Sequence, residues 1–270
     1  MINTKKQPKI TLVGAGPGDQ DLLTIKGLRA IEKADVVLYD ALVGKEILDF
    51  IPENAIRVYV GKRANNHRYP QAEINMLMVQ YAFLHGHVVR LKGGDAFVFG
   101  RGKEELDFAA AFDVETEVVP GISSCIAVPE LQGVPLTQRG ISESFWVLTG
   151  TTKAGILSKD VSVAAQSSAT VVILMGLKKI RQIAKVFRKN GKGEMPVMIV
   201  QNGSAANEQV ALGTINTIEN EIIRKGIGTP AIIVIGEVVA GANRELIEEV
   251  ESTELIVESK INSTTKTNSK

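Results

Sequence analysis

The sequence predicts an α/β fold of two domains with one site in the cleft between them. Three observations point there. Short runs rich in Val, Ile and Leu recur along the chain, as expected of strands buried on both faces. In the first half, stretches with apolar residues at helical spacing separate those runs, and strand–loop–helix alternation means a parallel sheet. The first four runs each end on glycine, an acid or a base, and ligands of such sheets collect beyond the carboxyl ends of the strands.

Taken in order, ITLV follows Ile10 and runs into GAGPGD. In DLLTIKGLRAIEKA, Leu22, Ile25, Leu28 and Ile31 fall near one helical face. DVVLY runs into Asp40, and AIRVYV runs into Gly61, Lys62 and Arg63. QAEINMLMVQYAFLHG is a second helix, with Gly86 as its C-cap. HVVRLK runs into Gly93, Gly94 and Asp95, and KEELDFAAAF makes a third helix. EVVPGISS closes a fifth strand, and the Pro- and Gly-rich stretch after it bridges to the second half. There FWVLTG, TVVILMG, MPVMIVQNG and PAIIVIGEV are four further runs. The domains are expected over residues 1–120 and 121–250, followed by a disordered polar tail over 251–270.

The 270 residues are 44% hydrophobic and 23% charged, enough apolar matter for real cores and too little charge for global disorder. A net charge of +1 argues against nucleic-acid or membrane binding through bulk charge. No apolar run is long enough to span a bilayer, and the basic start leads too soon into a glycine loop to be a signal peptide. The single Cys125 leaves no internal disulfide or multi-cysteine zinc site and fits a reducing compartment, so a cytoplasmic location is expected. In its apolar setting Cys125 reads as a buried small hydrophobe rather than a nucleophile. His67, His85 and His87 show no metal-ligand spacing, and no metal is expected.

The glycine loops exclude the common nucleotide sites. A dinucleotide fingerprint requires a third glycine where Asp19 stands, and Pro17 removes an N–H that a pyrophosphate would need. The stretch around Gly100-Arg101-Gly102 fails the phosphate-loop pattern at Phe97 and Glu104. Beside Gly93 and Gly94, where backbone can approach a ligand closely, Asp95 would repel phosphate. A cationic sulfonium ligand such as S-adenosylmethionine suits that loop better, although residue types alone do not choose it.

Several long motifs then stand in a fixed order: GAGPGDQDLLTIKGLRAIEKADVVLYDALV, VGKRANNH, VVRLKGGDAFVFGRGKEE, VVPGISS and TPAIIVIGEV. Together, over about residues 9 to 240, they closely resemble the tetrapyrrole methylase family. The resemblance implies a two-domain α/β methyltransferase of class III type, usually a homodimer, with S-adenosylmethionine in the interdomain cleft. It implies methylation of ring carbons C2 and C7 of uroporphyrinogen III to precorrin-2, on the way to sirohaem and cobalamin. A sibling acting on a later cobalamin precursor, or a module that binds the methyl donor without catalysis, are the other readings.

Carried over residue by residue, the resemblance puts donor contacts on Pro17, Gly93, Gly94, Asp95, Val98, Ser123, Ser124, Met175, Gly203 and Ala231. It matches the proton acceptor to Asp40 and the proton donor to Lys62. A substrate with eight carboxylates calls for a locally basic cleft, for which Arg101, Arg63 and Arg139 are the clamps. Without the resemblance Asp40 reads first as a turn aspartate, and Lys62 with Arg63 as a solvated pair. The chain departs from the family pattern at Ala96, Ser123-Ser124, Gln138 and Thr151. Gln138 removes a titratable group, which leaves no proton role there. The short stretch after residue 250 is too small for a further catalytic domain.

Overall fold

The structure, a computed structural model, describes residues 6–61 and 69–242. Five strands form the first sheet: β1 (Lys9–Gly14), β2 (Val36–Tyr39), β3 (Ile56–Tyr59), β4 (His87–Lys92) and β5 (Glu115–Val119). They pair in the order β3-β2-β4-β1-β5, every pair parallel. The central strands β1, β2 and β4 are buried almost throughout, whereas the edge strand β3 is half open. That is why the central runs are so continuously branched and apolar.

Helices cover both faces of this sheet. α1 (Ile25–Ile31) starts at Thr24, whose hydroxyl accepts the Gly27 N–H at 3.0 Å. The helix is shorter than its apolar spacing suggests: Leu22 belongs to a preceding 3₁₀ turn and Ile25 faces solvent. α2 (Gln71–His85) ends at Gly86, whose positive φ of 109° and N–H to Ala82 close it as expected. α3 (Gly102–Ala110) packs with α2 and β5.

α4 (Ser124–Leu131) leads into the second half and packs against its sheet. That sheet is formed by β6 (Phe145–Thr149), β7 (Thr170–Leu174), β8 (Pro196–Gln201), β9 (Gln209–Thr214) and β10 (Ala231–Ile235). α5 (Asp160–Ala164), α6 (Ile180–Lys189) and α7 (Ile218–Lys225) complete it. The order is β6-β7-β10-β8-β9, with β6 and β7 parallel and all other pairs antiparallel. Four of these strands are the runs read from the sequence; β9 was not among them. Two apolar cores flank each sheet. Among the described residues no helix is long and apolar enough to cross a membrane. The tail over 251–270 lies outside them.

Candidate active site

A cavity of about 1040 Å³ opens between the carboxyl ends of the first sheet and one end of the second. From the first half it is lined by Pro17, Asp40, Gly93, Gly94, Asp95, Val98 and Arg101. Ser123 and Ser124 at the start of α4, Met175 after β7, Gly203 after β8 and Ala231 at the start of β10 complete the wall. Every position assigned to the methyl donor therefore reaches one cleft, together with Asp40 and Arg101. Ala231 does so from a strand's beginning because β10 runs antiparallel to β7 and β8, which sets its first residues beside their last.

Arg139 is placed differently: it occupies an exposed turn next to the Gln138–Ser142 bridge and does not line the cavity. Lys62 and Arg63 lie outside the described residues.

The backbone around the cleft is unusual. Phe99, Arg101, Met175, Asn202 and Ser204 all have φ between 50° and 70°, and all line the cavity. Among the described non-glycine residues only Asp113 shares that conformation elsewhere. A left-handed conformation costs a residue with a Cβ about 1–2 kcal/mol, and such conformations cluster where a site dictates them. At Met175 the cost is met by a clamp, since its carbonyl accepts the Thr151 hydroxyl at 2.9 Å.

The two glycines of the central loop serve different ends. A Cβ on Gly93 would lie 2.5 Å from Leu42 Cβ and 2.8 Å from Leu42 O, so its missing side chain makes room for protein. At Gly94 an added Cβ would meet nothing nearer than 3.8 Å, so its backbone borders open space. Its φ of 67° is the reason for glycine there. Asp95 also has a structural duty. Its Oδ1 accepts the N–H groups of Phe97 at 2.8 Å and Val98 at 3.2 Å, and its Oδ2 accepts that of Gly121 at 3.1 Å. This carboxylate ties the loop after β4 to the chain entering α4.

Asp40 is both a turn residue and a cleft residue. Its Oδ1 accepts the Leu42 N–H at 3.0 Å, and its Oδ2 lies 3.3 Å from Arg90 Nη2. Beneath it Arg90, Lys92 and Glu105 are buried in the first core. Burial, and after it the positive charge of Arg90, pulls Lys92 below its ordinary value of 10.5. Sequence reasoning passed over this trio. The available signal was the pair of cations two residues apart in the otherwise apolar HVVRLK, which puts both on one face.

Arg101 faces the cleft with its guanidinium already paired: Nη2 is 2.6 Å and Nε 3.1 Å from the Glu104 carboxylate. A neighbouring hollow of about 580 Å³ shares Val98, Phe99, Arg101 and Met175 with the main cavity and adds Phe97 and Lys153. Ser204 Oγ accepts the Asp19 N–H at 3.1 Å, tying the GAGPGD loop to the second half. Burial pushes the Cys125 thiol up, and the S–H donates to Ser123 Oγ at 3.1 Å, in keeping with a buried hydrophobe.

The methyl donor is a good match for this lining. The wall is apolar at Val98, Val128, Leu174, Val200 and Ile232, which suits a flat adenine ring. Gly94 leaves space that any other residue would fill, and the Asp95 carboxylate tolerates a sulfonium where it would repel a phosphate.

Known proteins resemble this chain over most of its length. Residues 9–219 match the family described as Tetrapyrrole (Corrin/Porphyrin) Methylases. The chain is 45% identical over 233 residues to the uroporphyrinogen-III C-methyltransferase of Methanocaldococcus jannaschii, covering 86% of this chain and 96% of that protein. It is 44% identical to a siroheme synthase of Actinobacillus pleuropneumoniae, of which it spans only 47%. A crystal structure of the uroporphyrin-III C-methyl transferase of Thermus thermophilus complexed with S-adenyl homocysteine is also similar. It superposes with a TM-score of 0.74 at 38% identity, over 86% of this chain and 99% of that one.

Proposed function

The chain belongs to the tetrapyrrole methylase family, and from that premise we propose that it catalyses the S-adenosylmethionine-dependent C-methylation of uroporphyrinogen III. The observation that carries the reading is the convergence of Pro17, Gly93, Gly94, Val98, Met175, Gly203 and Ala231 on one cleft beside Asp40. In the full reading the methyl groups go to C2 and C7, and precorrin-2 leaves for sirohaem or cobalamin synthesis. The enzyme acts in the cytoplasm as a homodimer. Exposed Phe145 and Trp146 on the edge strand β6 support a partner surface.

When bound, S-adenosylmethionine supplies a methyl group on a cationic sulfur that departs neutral, so no acid is required for the leaving group. The work left to the protein is alignment and proton removal. The apolar wall and the open backbone at Gly94 hold the donor, and Met175, fixed by Thr151, stands where the cleft meets the neighbouring hollow. As the ring carbon bonds to the methyl group, the macrocycle gains a positive charge, which it loses by releasing a proton. Asp40 accepts that proton. Arg101 exchanges Glu104 for a substrate carboxylate, a swap between like partners that costs little in charge. Lys62 donates a proton or grips a carboxylate, and Arg63 grips a further one.

The test is product mass. Purified protein with the methyl donor and uroporphyrinogen III is expected to give a doubly methylated product heavier by two CH2 units, each methyl gained being matched by a proton lost, and substrate recovered unchanged would remove the assignment. Asp40→Asn is expected to keep adenosylhomocysteine affinity while turnover falls by about 10²-fold or more.

A further inference from the structure

The methyl-transfer reading uses only the outermost member of the polar cluster under the cleft. Arg90 and Lys92 leave one face of β4, and both are buried in the layer that α2 and α3 cover. Glu105 of α3, with no exposed surface, meets them there. Its Oε1 is 3.4 Å from Arg90 Nε, 3.0 Å from Lys92 Nζ and 2.9 Å from Gln71 Nε2. Arg90 Nη1 donates to the carbonyl oxygens of Leu91 at 2.9 Å and Leu38 at 3.5 Å. The remaining arm of the guanidinium, Nη2, points to Asp40 Oδ2 at 3.3 Å.

Such a cluster is a weak source of stability, because desolvating the ions offsets most of their attraction. Its use is geometric. A planar fork held by Glu105 and two carbonyl oxygens has one direction left, and that direction is spent on Asp40, the carboxylate of the cluster that lines the cleft; Arg90 and Lys92 reach the same wall from β4. The Leu42 N–H holds the other Asp40 oxygen, so the carboxylate plane is fixed from both sides. The formal charges of Arg90, Lys92, Glu105 and Asp40 also cancel, so the quartet is neutral only with the Asp40 carboxylate in place.

We infer that Arg90 is a positioning residue: anchored by Glu105, it sets the orientation in which Asp40 receives the proton. The inference rests on the reading of Asp40 as the base. Arg90 acts through Asp40, on which its Nη2 is spent.

The experiment compares Arg90→Gln, Arg90→Lys, Asp40→Asn and the double variant Arg90→Gln/Asp40→Asn. Methyl transfer, adenosylhomocysteine affinity and Tm are measured for each. Arg90→Gln is expected to lower kcat by about 10²-fold, the scale of a misplaced catalytic group, with KM for the methyl donor and adenosylhomocysteine affinity unchanged. Arg90→Lys, which keeps the charge but loses the fork, should recover part of that kcat. In the Asp40→Asn background, Arg90→Gln should cause no further loss, since groups acting as a unit are non-additive. An equal loss in both backgrounds, or wild-type kcat in Arg90→Gln, would overturn the positioning role and leave Asp40 as base. Full activity of Asp40→Asn would instead remove the base, and this inference with it. Should Arg90→Gln fail to fold, Arg90→Lys decides alone: wild-type kcat refutes the inference, and reduced kcat at unchanged KM supports it.

Discussion

Gly93 and Met175 show how single residues are bent to the needs of the cleft. With Leu42 Cβ 2.5 Å from where its own Cβ would stand, Gly93→Ala must displace the loop after β4 or the turn after Asp40. It is expected to cost about 1–3 kcal/mol, as overpacking does, and to weaken adenosylhomocysteine binding; calorimetry on the pure variant measures both. Met175→Gly should behave oppositely. Its left-handed backbone suits glycine, its side chain is 53% exposed, and Thr151 holds its carbonyl. Thermal stability should stay within about 1 kcal/mol of wild type, because relief of the left-handed strain and the entropic penalty of glycine nearly cancel. Ligand affinity should fall. A stability loss as large as that of Gly93→Ala would show that Met175 is ordinary packing. The strand-end loops that border the cleft were legible because glycines and polar residues interrupt apolar runs there, whereas the individual donor positions came only from the resemblance to the family. Arg90, Lys92 and Glu105 were not, because a buried ionic cluster leaves no period in the sequence, only charges in an apolar strand.

At the level of elements, the parallel first sheet could be read because its strands are apolar on both faces and its connections are helical. The second sheet was less legible. β9 reads QVALGT, only partly buried at an edge, so it lacks the branched run that marked the others. β10 runs antiparallel to β7 and β8, and nothing in PAIIVIGEV encodes that direction. The ion cluster that ties α1, β1 and β5 gives a pH test. Lys26 and then Lys9, both 3.0 Å away, hold the Glu117 carboxyl below its ordinary value of 4.5 against a smaller opposing effect of burial. A carboxylate lowered in the folded state adds stability above its unfolded value, and that stability fades as pH falls through the folded one. Glu117→Gln should therefore cost less than about 1 kcal/mol at neutral pH, the pairs being largely exposed. That difference from wild type should vanish in acid below 4.5; denaturant melts at both pH values measure it. Removing the cap of α1 by Thr24→Ala should cost about 1 kcal/mol regardless of acidity.

For the whole molecule, the arrangement of two sheets around one cavity makes ligand binding and folding depend on each other. The cavity draws its wall from both halves, and the Asp19–Ser204 hydrogen bond is a direct tie between their loops. A ligand that binds only the folded form, at a hundred times its Kd, adds about 2.7 kcal/mol of stability. Adenosylhomocysteine should accordingly raise Tm by roughly 5–10 °C, and NAD should not, since the GAGPGD loop lacks the third glycine and carries Pro17. The central claim is about place, and a crystal structure with adenosylhomocysteine tests it most directly. The account predicts the ligand in the cleft, bordered by Gly94, Met175 and Gly203, with its sulfur turned toward the Asp40 side. Density for the ligand anywhere else, with that cleft left to solvent, would contradict it.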